Sequence, residues 1–324
     1  MYRLLLFIYR VKEIILCLIQ IIELENIEEV RRKGIKTYYS LFYIKKIIIS
    51  PMQLYLALTG KVLNVRYIEI PLTTVCTLKC KGCSALIDSY PAALLRHIDI
   101  NEIVLMLNSL TSAVDSIYKI RLLGGEPLCY PHLYDVLCII NNEDKIMISD
   151  IVTNGTLIIK DERILDILKN KKFHITISDY GPISRKKDEL INQLRQNNIR
   201  YQIAPIEVWY DFGDLVIRDY SKAELREMFY NCRSKSTGSC KNLLYGRIFH
   251  CPRNSHGANI GKIPLRDSDY VDLLDNTVSS EEIKKRLFKF FYGYIPYVEA
   301  CKYCSHGRYS KTIPIAKQIS NKND

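Results

Sequence analysis

The 324-residue chain shows no convincing secretory signal, no uninterrupted apolar run of about 20 residues and no nucleic-acid module. Each absence narrows the reading. Without a secretory signal, the eleven cysteines are not read as a disulfide framework; several stand at metal-ligand spacings, and reduced thiols in the cytoplasm are expected. The amino-terminal stretch "MYRLLLFIYRVKEIILCLIQIIEL" is interrupted by Arg10, Lys12 and Glu13, so no transmembrane span is expected. Its apolar residues fall on more than one face, which favours docking against the body of the protein over peripheral membrane contact beside its basic residues. No zinc finger or RNP-like strand pair accompanies the net charge of +11. Nucleic acid is therefore not expected, although phosphates, nucleotides and acidic surfaces remain compatible with the charge. There is no low-complexity run and no internal repeat beyond the alternation described next.

With 48% hydrophobic and 25% charged residues, the chain can bury one large core with a smaller appendage. Residues 1–64 read as helices with breaks at Ser50-Pro51 and Gly60, a helical extension without chemistry. From Val65 an alternation begins. "VRYIEIPLT" is strand-like, and "INEIVLMLNSLTSAVD" has helical periodicity behind Asp99 as N-cap. The strand "IYKIRLLGGEP", the helix "LYDVLCIINN" and the strand "IMISDIVTNG" follow. Then come the helix "DERILDILKN", the strand "FHITISDYG", the helix "KKDELINQLRQNN" and the strand "IRYQIAPI". Repeated β-α units imply parallel strands joined by right-handed crossovers. The alternation fails near "WYDFGDL", where aromatic, acidic and basic residues suit either substrate contacts or interdomain packing. The expected division is 1–64, 65–208 and a cysteine-rich 209–324 containing a hairpin-like "LLYGRIFHC"; the polar end "SNKND" is expected to fray.

In such α/β folds, functional loops follow the carboxyl ends of strands. Each notable motif falls there: "CTLKCKGC" after the first strand, "GGEP" after the second, "TNG" after the third and "SDYG" after the fourth. Cys76, Cys80 and Cys83 stand at C-x3-C-x2-C, one thiol short of a closed zinc site. Three thiolates instead suit a four-iron cluster whose last iron is left open for another molecule. Glycines at 124 and 125 suit a close backbone approach, or a tight turn before a proline-started helix, the latter leaving Glu126 unexplained.

With these motifs in a β-α repeat, Val65 to Ile206 resembles the radical S-adenosylmethionine (SAM) superfamily. The resemblance implies a partial (β/α)6 barrel of the TIM type and a 4Fe-4S cluster held by Cys76, Cys80 and Cys83. The amino and carboxylate groups of SAM would chelate the fourth iron. It places Gly124, Gly125, Glu126 and Pro127 at the methionine amino group. Thr153, Asn154 and Ser178, with Asp179, fall by position near the ribose or the carboxylate, although Asn-Gly and Ser-Asp are also ordinary turn pairs. Where family loops often carry an aromatic residue before the third cysteine, this chain has Gly82, so stacking on the adenine would come from elsewhere.

Cys232, Cys240, Cys251, Cys301 and Cys304 include a C-x2-C and, from Cys240 through Gly246 to Cys251, a C-x5-G-x4-C. They resemble the twitch appendage, a reduced SPASM domain, and imply an auxiliary iron-sulfur cluster. Cys232 and Cys240 both qualify as its first ligand, and a zinc ribbon is the competing reading. His250, His256 and His306 lie near these thiols without being counted as ligands. Cys17 and Cys138 read as packed thiols, and Cys129 as the same.

The resemblance further implies an enzyme that cleaves SAM to a 5′-deoxyadenosyl radical, with flavodoxin or ferredoxin as electron donor. "CKGCSALIDSY", "ISDYGPISRKKDEL" and "VWYDFGDL" resemble radical SAM proteins associated with surface-polysaccharide synthesis, which implies a sugar-nucleotide or glycan substrate. The alternatives are a peptide-modifying maturase and a noncatalytic iron-sulfur or zinc protein.

Overall fold

The structure, a computed structural model, describes residues 8, 10–20, 51–232, 240–305 and 311–319. His306, the polar end at 320–324 and residues 21–50 of the extension lie outside them. Five parallel strands follow in order: β1 (Asn64–Thr73), β2 (Ser116–Gly124), β3 (Ile146–Thr153), β4 (Phe173–Asp179) and β5 (Tyr201–Pro205). Residues 10–20 form helix α1, followed by α2 (Pro51–Thr59). The strands alternate with α3 (Ile100–Ala113), α4 (Leu133–Asn142), α5 (Glu162–Leu168) and α6 (Lys187–Gln196). Asp99 caps α3 by accepting the Asn101 N–H at 2.8 Å, and Asp161 caps α5 through Arg163 N–H at 2.9 Å.

The two faces of the central strands differ in chemistry. Ile68, Ile70 and Leu72 of β1 join Ile120 and Leu122 of β2 in the main apolar cluster, covered by Leu107, Leu137 and Leu194 from the helices. The alternate residues form a polar row. Glu69 pairs in register with Arg121, Arg121 with Asp150, and Asp150 with His174. Asp150, 1% exposed, accepts from Arg121 Nε at 3.0 Å and Thr176 Oγ1 at 2.7 Å, and lies 3.2 Å from His174 Nδ1. Such pairing is what allows a carboxylate to sit inside a sheet.

The sheet does not end at β1. Strand β6 (Trp209–Tyr210) leaves it to pair antiparallel with β10 (Thr312–Ile313). The place beside β1 is taken by β7 (Asn242–Leu244), which runs parallel to it, and then by β8 (Arg247–Phe249) and β9 (Tyr270–Asp272), both antiparallel. The expected hairpin is present, and Tyr245 and Gly246 turn it with φ of 48° and 76°, the pair of positive values a type I′ turn requires.

Helices α7 (Lys222–Asn231), α8 (Pro252–Asn259) and α9 (Ser280–Tyr292) complete the tail. The main apolar cluster draws residues from both sides of position 208/209. Leu243, Ile248, Val271, Leu287 and Phe290 belong to the same apolar cluster as the barrel strands. The tail covers what would otherwise be an open sheet edge along β1.

The amino-terminal helix docks, as its apolar faces suggest. Ile14 and Leu18 pack with Ala57 of α2 and Tyr292 of α9, while Arg66 binds Gln20 at 2.9 Å and Glu13 at 3.4 Å. Among the described residues, no helix is long and apolar enough to cross a membrane.

Candidate active site

A cavity of about 480 Å³ lies over the carboxyl ends of the barrel strands. Cys76, Cys80, Cys83, Gly124, Gly125, Thr153, Asn154 and Ser178 line it from the barrel, and Cys232, Cys240, Cys251, Cys301 and Cys304 from the tail. Both cysteine groups thus share one chamber, which spacing alone did not indicate.

The three-cysteine loop is held on three sides. Gly125 N–H donates to Thr73 O at 2.8 Å and Glu126 N–H to Val75 O at 2.9 Å, which lays the glycine segment on the loop. A Cβ on Gly125 would stand 2.1 Å from Val75 O and 2.9 Å from Cys76 Cβ, so only glycine fits. From β3, Asn154 Nδ2 donates to Thr77 Oγ1 at 3.0 Å and to Cys76 Sγ at 3.7 Å. From the carboxyl-terminal segment, Gln318 Nε2 reaches Cys80 Sγ at 3.1 Å while its Oε1 accepts Lys79 N–H at 2.9 Å. Nothing in the loop's spacing pointed to Gln318, because the contact is made across 238 residues.

Glu126 and Pro127 are not among the residues lining the chamber. The Glu126 side chain, 0% exposed, turns inward as a brace. Oε1 accepts Leu128 N–H at 3.0 Å and Oε2 accepts Asn154 N–H at 2.8 Å, joining the GGEP and TNG loops. Burial pushes its carboxyl up to about 7 against these two hydrogen bonds. Glu126 thus braces the two loops, and the part of the motif that lines the chamber is the Gly124-Gly125 backbone. Asp179 also turns away, to Lys187 at 2.8 Å.

Gly82, with φ of 75°, donates its N–H to Asp88 Oδ2 at 3.0 Å, and a Cβ there would meet Ile313 at 2.6 Å. Tyr180, Trp209, Tyr210 and Phe212 line the chamber. Tyr180 and Trp209 meet edge to face, centroids 5.7 Å apart.

Burial pushes the thiols up, Cys76 to about 12, Cys83 to about 11 and Cys251 to about 12, and it holds Cys301 well above the ordinary thiol value. Without a cation such thiols keep their protons, so a metal or cluster would displace protons on binding. Among the described residues, no three His, Cys, Asp or Glu side chains close on a single metal ion.

Residues outside the expected set also line the chamber, among them an acid and two histidines. Glu69 of β1, 6% exposed, receives Tyr67 Oη–H at 3.0 Å; an acid inside the apolar "YIEIPL" was its only signal. His256, fully buried, lies with Nδ1 2.7 Å from Tyr90 Oη, and desolvation lowers it to about 3, so it stays neutral. His250 lines the chamber too, stacked on Phe290 with centroids 3.8 Å apart. Cys17, Cys129 and Cys138 are not among the lining residues.

Residues 70–193 match the radical SAM superfamily. The chain carries a radical SAM domain. A GTP 3′,8-cyclase from Alkaliphilus oremlandii (strain OhILAs) is 31% identical over 124 residues, 37% of each chain. The chain thus spans little more than a third of that relative's length. Among solved structures, the chain is similar to native anSMEcpe with bound AdoMet and Cp18Cys peptide. The identity is 13%, the coverage 72% of this chain and 84% of that one, and the TM-score 0.46. BtrN in complex with AdoMet and 2-DOIA gives 14%, 79% and 98%, with a TM-score of 0.43.

Proposed function

We propose that this radical SAM protein is an enzyme that generates a substrate radical inside the shared chamber. The observation that carries the reading is the convergence of the three-thiol loop, the glycine cradle and the strand-end loops on one cavity. The residues present fit the cofactors: three thiols on a braced loop, Cys80 buried and Cys76 and Cys83 half-buried, beside a backbone segment where a Cβ would collide. With a 4Fe-4S cluster on Cys76, Cys80 and Cys83, reductive cleavage of SAM would supply a 5′-deoxyadenosyl radical able to take hydrogen from substrate.

The chain's own residues prepare the site. Gly124 and Gly125 offer backbone groups to the methionine end, and Thr153, Asn154 and Ser178 offer polar groups along the strand ends. Tyr180 and Trp209 supply aromatic surface for the adenine in place of the loop's missing ring. Glu126 holds the GGEP and TNG loops in register, and the tail closes the chamber against water.

The tail thiols would hold an auxiliary iron-sulfur cluster, four of the five serving as ligands. For substrate we favour a sugar-nucleotide or glycan, compatible with the net charge of +11 and with a relative named for its action on GTP. Flavodoxin or ferredoxin would donate the electron, in the reducing cytoplasm where such thiols persist.

The test is spectroscopic. Protein reconstituted without oxygen and reduced is expected to change its electron paramagnetic resonance (EPR) signal when SAM is added. A fully loaded, reducible cluster whose signal SAM leaves unaltered would contradict the reading.

A further inference from the structure

The carboxyl-terminal segment returns to the three-cysteine loop as a strap. Ile313 of β10 pairs with Trp209, and its Cδ1 fills the space where Gly82 lacks a Cβ. Further along, the main chain docks on the loop itself. Lys81 N–H donates to Lys317 O at 2.8 Å and Ile319 N–H to Lys79 O at 2.9 Å, an antiparallel bridge that sets Gln318 opposite Cys80. Both bonds join main chain to main chain, so the register of the strap does not depend on which side chain stands at 318.

The Gln318 amide is held at both of its polar atoms. Oε1 accepts Lys79 N–H at 2.9 Å, while Nε2 donates to Ala316 O at 2.6 Å and to Cys80 Sγ at 3.1 Å. Turning the amide over would set nitrogen against the Lys79 N–H and oxygen against the Ala316 carbonyl, so the three contacts together fix which end faces the sulfur. A sulfur accepts such a bond as thiol or as thiolate, and the contact does not turn on the protonation of Cys80. Cys76 Sγ is less closely approached, by Leu78 N–H at 3.4 Å and Asn154 Nδ2 at 3.7 Å. Asn154 gives its shorter bond, 3.0 Å, to Thr77.

Reduction adds one negative charge to an iron-sulfur cluster, and the coordinating sulfurs share it. A donor aimed at one of those sulfurs stabilises the reduced state more than the oxidised one and raises the potential. We propose that Gln318 is a positioning residue for electron uptake: its amide N–H, directed at the Cys80 sulfur, raises the reduction potential of the cluster on Cys76, Cys80 and Cys83. The inference rests on the cluster reading above. In the step it favours, an external low-potential reductant loses one electron and the cluster gains it, and no bond to Gln318 forms or breaks. The strap thereby sets how readily the first cluster is reduced, although it lies 238 residues from Cys80 in sequence.

The test is a redox titration of the full chain, reconstituted without oxygen and reduced with Ti(III) citrate in the presence of mediators. The signal of the first cluster is the part of the reduced EPR spectrum that Cys76/Cys80/Cys83→Ala lacks. Gln318→Glu keeps an oxygen for Lys79 N–H and removes the amide donor, whereas Gln318→Leu removes both. Each is expected to move the midpoint of this signal to lower potential at unchanged iron content, so that less than half of the cluster is reduced at the wild-type midpoint. A second measurement needs no variant to load: with nitrogen-15 in the glutamine side-chain amides, pulsed EPR of the reduced wild type is expected to show a coupling between that label and the first cluster. Midpoints equal to the wild type in both variants would overturn the inference, as would a wild type without the coupling, and where a variant loads poorly the coupling decides alone. A wild type whose spectrum equals that of Cys76/Cys80/Cys83→Ala would instead overturn the cluster reading itself.

Discussion

At the scale of single residues, the site depends on groups that fit in only one way. Gly125→Ala would push a Cβ into Val75 O, and the cysteine loop must yield. The expected outcome is a loss of about 1–3 kcal/mol of stability in urea unfolding and a lower iron content at the first cluster. Asp150 behaves differently. Burial opposes its charge, but His174, Arg121 and Thr176 together outweigh burial and hold its carboxyl below the usual range. A depressed carboxylate stabilises the folded state above its unfolded pKa of about 3.9, and that contribution is lost as pH falls through the folded value. Asp150→Asn is expected to cost about 1–3 kcal/mol at neutral pH, a gap that narrows below about pH 4. Equal gaps at pH 7 and pH 3 in urea titrations would refute it. Glu126 shows what spacing hides: its place after Gly124-Gly125 was legible, but the two N–H groups that turn it inward come from the fold.

At the scale of elements, the β-α alternation from Val65 to Pro205 was legible because each strand is a short apolar run and each helix repeats at 3.6 residues. The polar row of Glu69, Arg121, Asp150 and His174 was hidden, since a lone charged residue in such a run does not disclose the face it shares with charges on neighbouring strands. Helix α9 was not foreseen either. Its Leu287, 0% exposed, packs into the barrel's apolar cluster from the far end of the chain. Leu287→Ala is expected to destabilise the whole protein by about 2–5 kcal/mol. Fluorescence of Trp209, the single tryptophan, and far-ultraviolet circular dichroism should report one shared transition. Two separated transitions would show that tail and barrel unfold independently.

At the scale of the whole molecule, two cysteine groups lying far apart in sequence face one chamber because β7 docks beside β1 and the carboxyl-terminal segment returns to Cys80. Neither contact has a local signal, so the sequence indicates two metal sites without showing that they share a cavity. In the proposed reading, the core loop is the source of reactivity and the tail its enclosure. The most direct measurement is the amount of 5′-deoxyadenosine formed when the reconstituted protein meets SAM and a strong reductant without oxygen. The account predicts its formation by the wild type and none by Cys76/Cys80/Cys83→Ala. A fully loaded, reducible wild type that leaves SAM intact would contradict it.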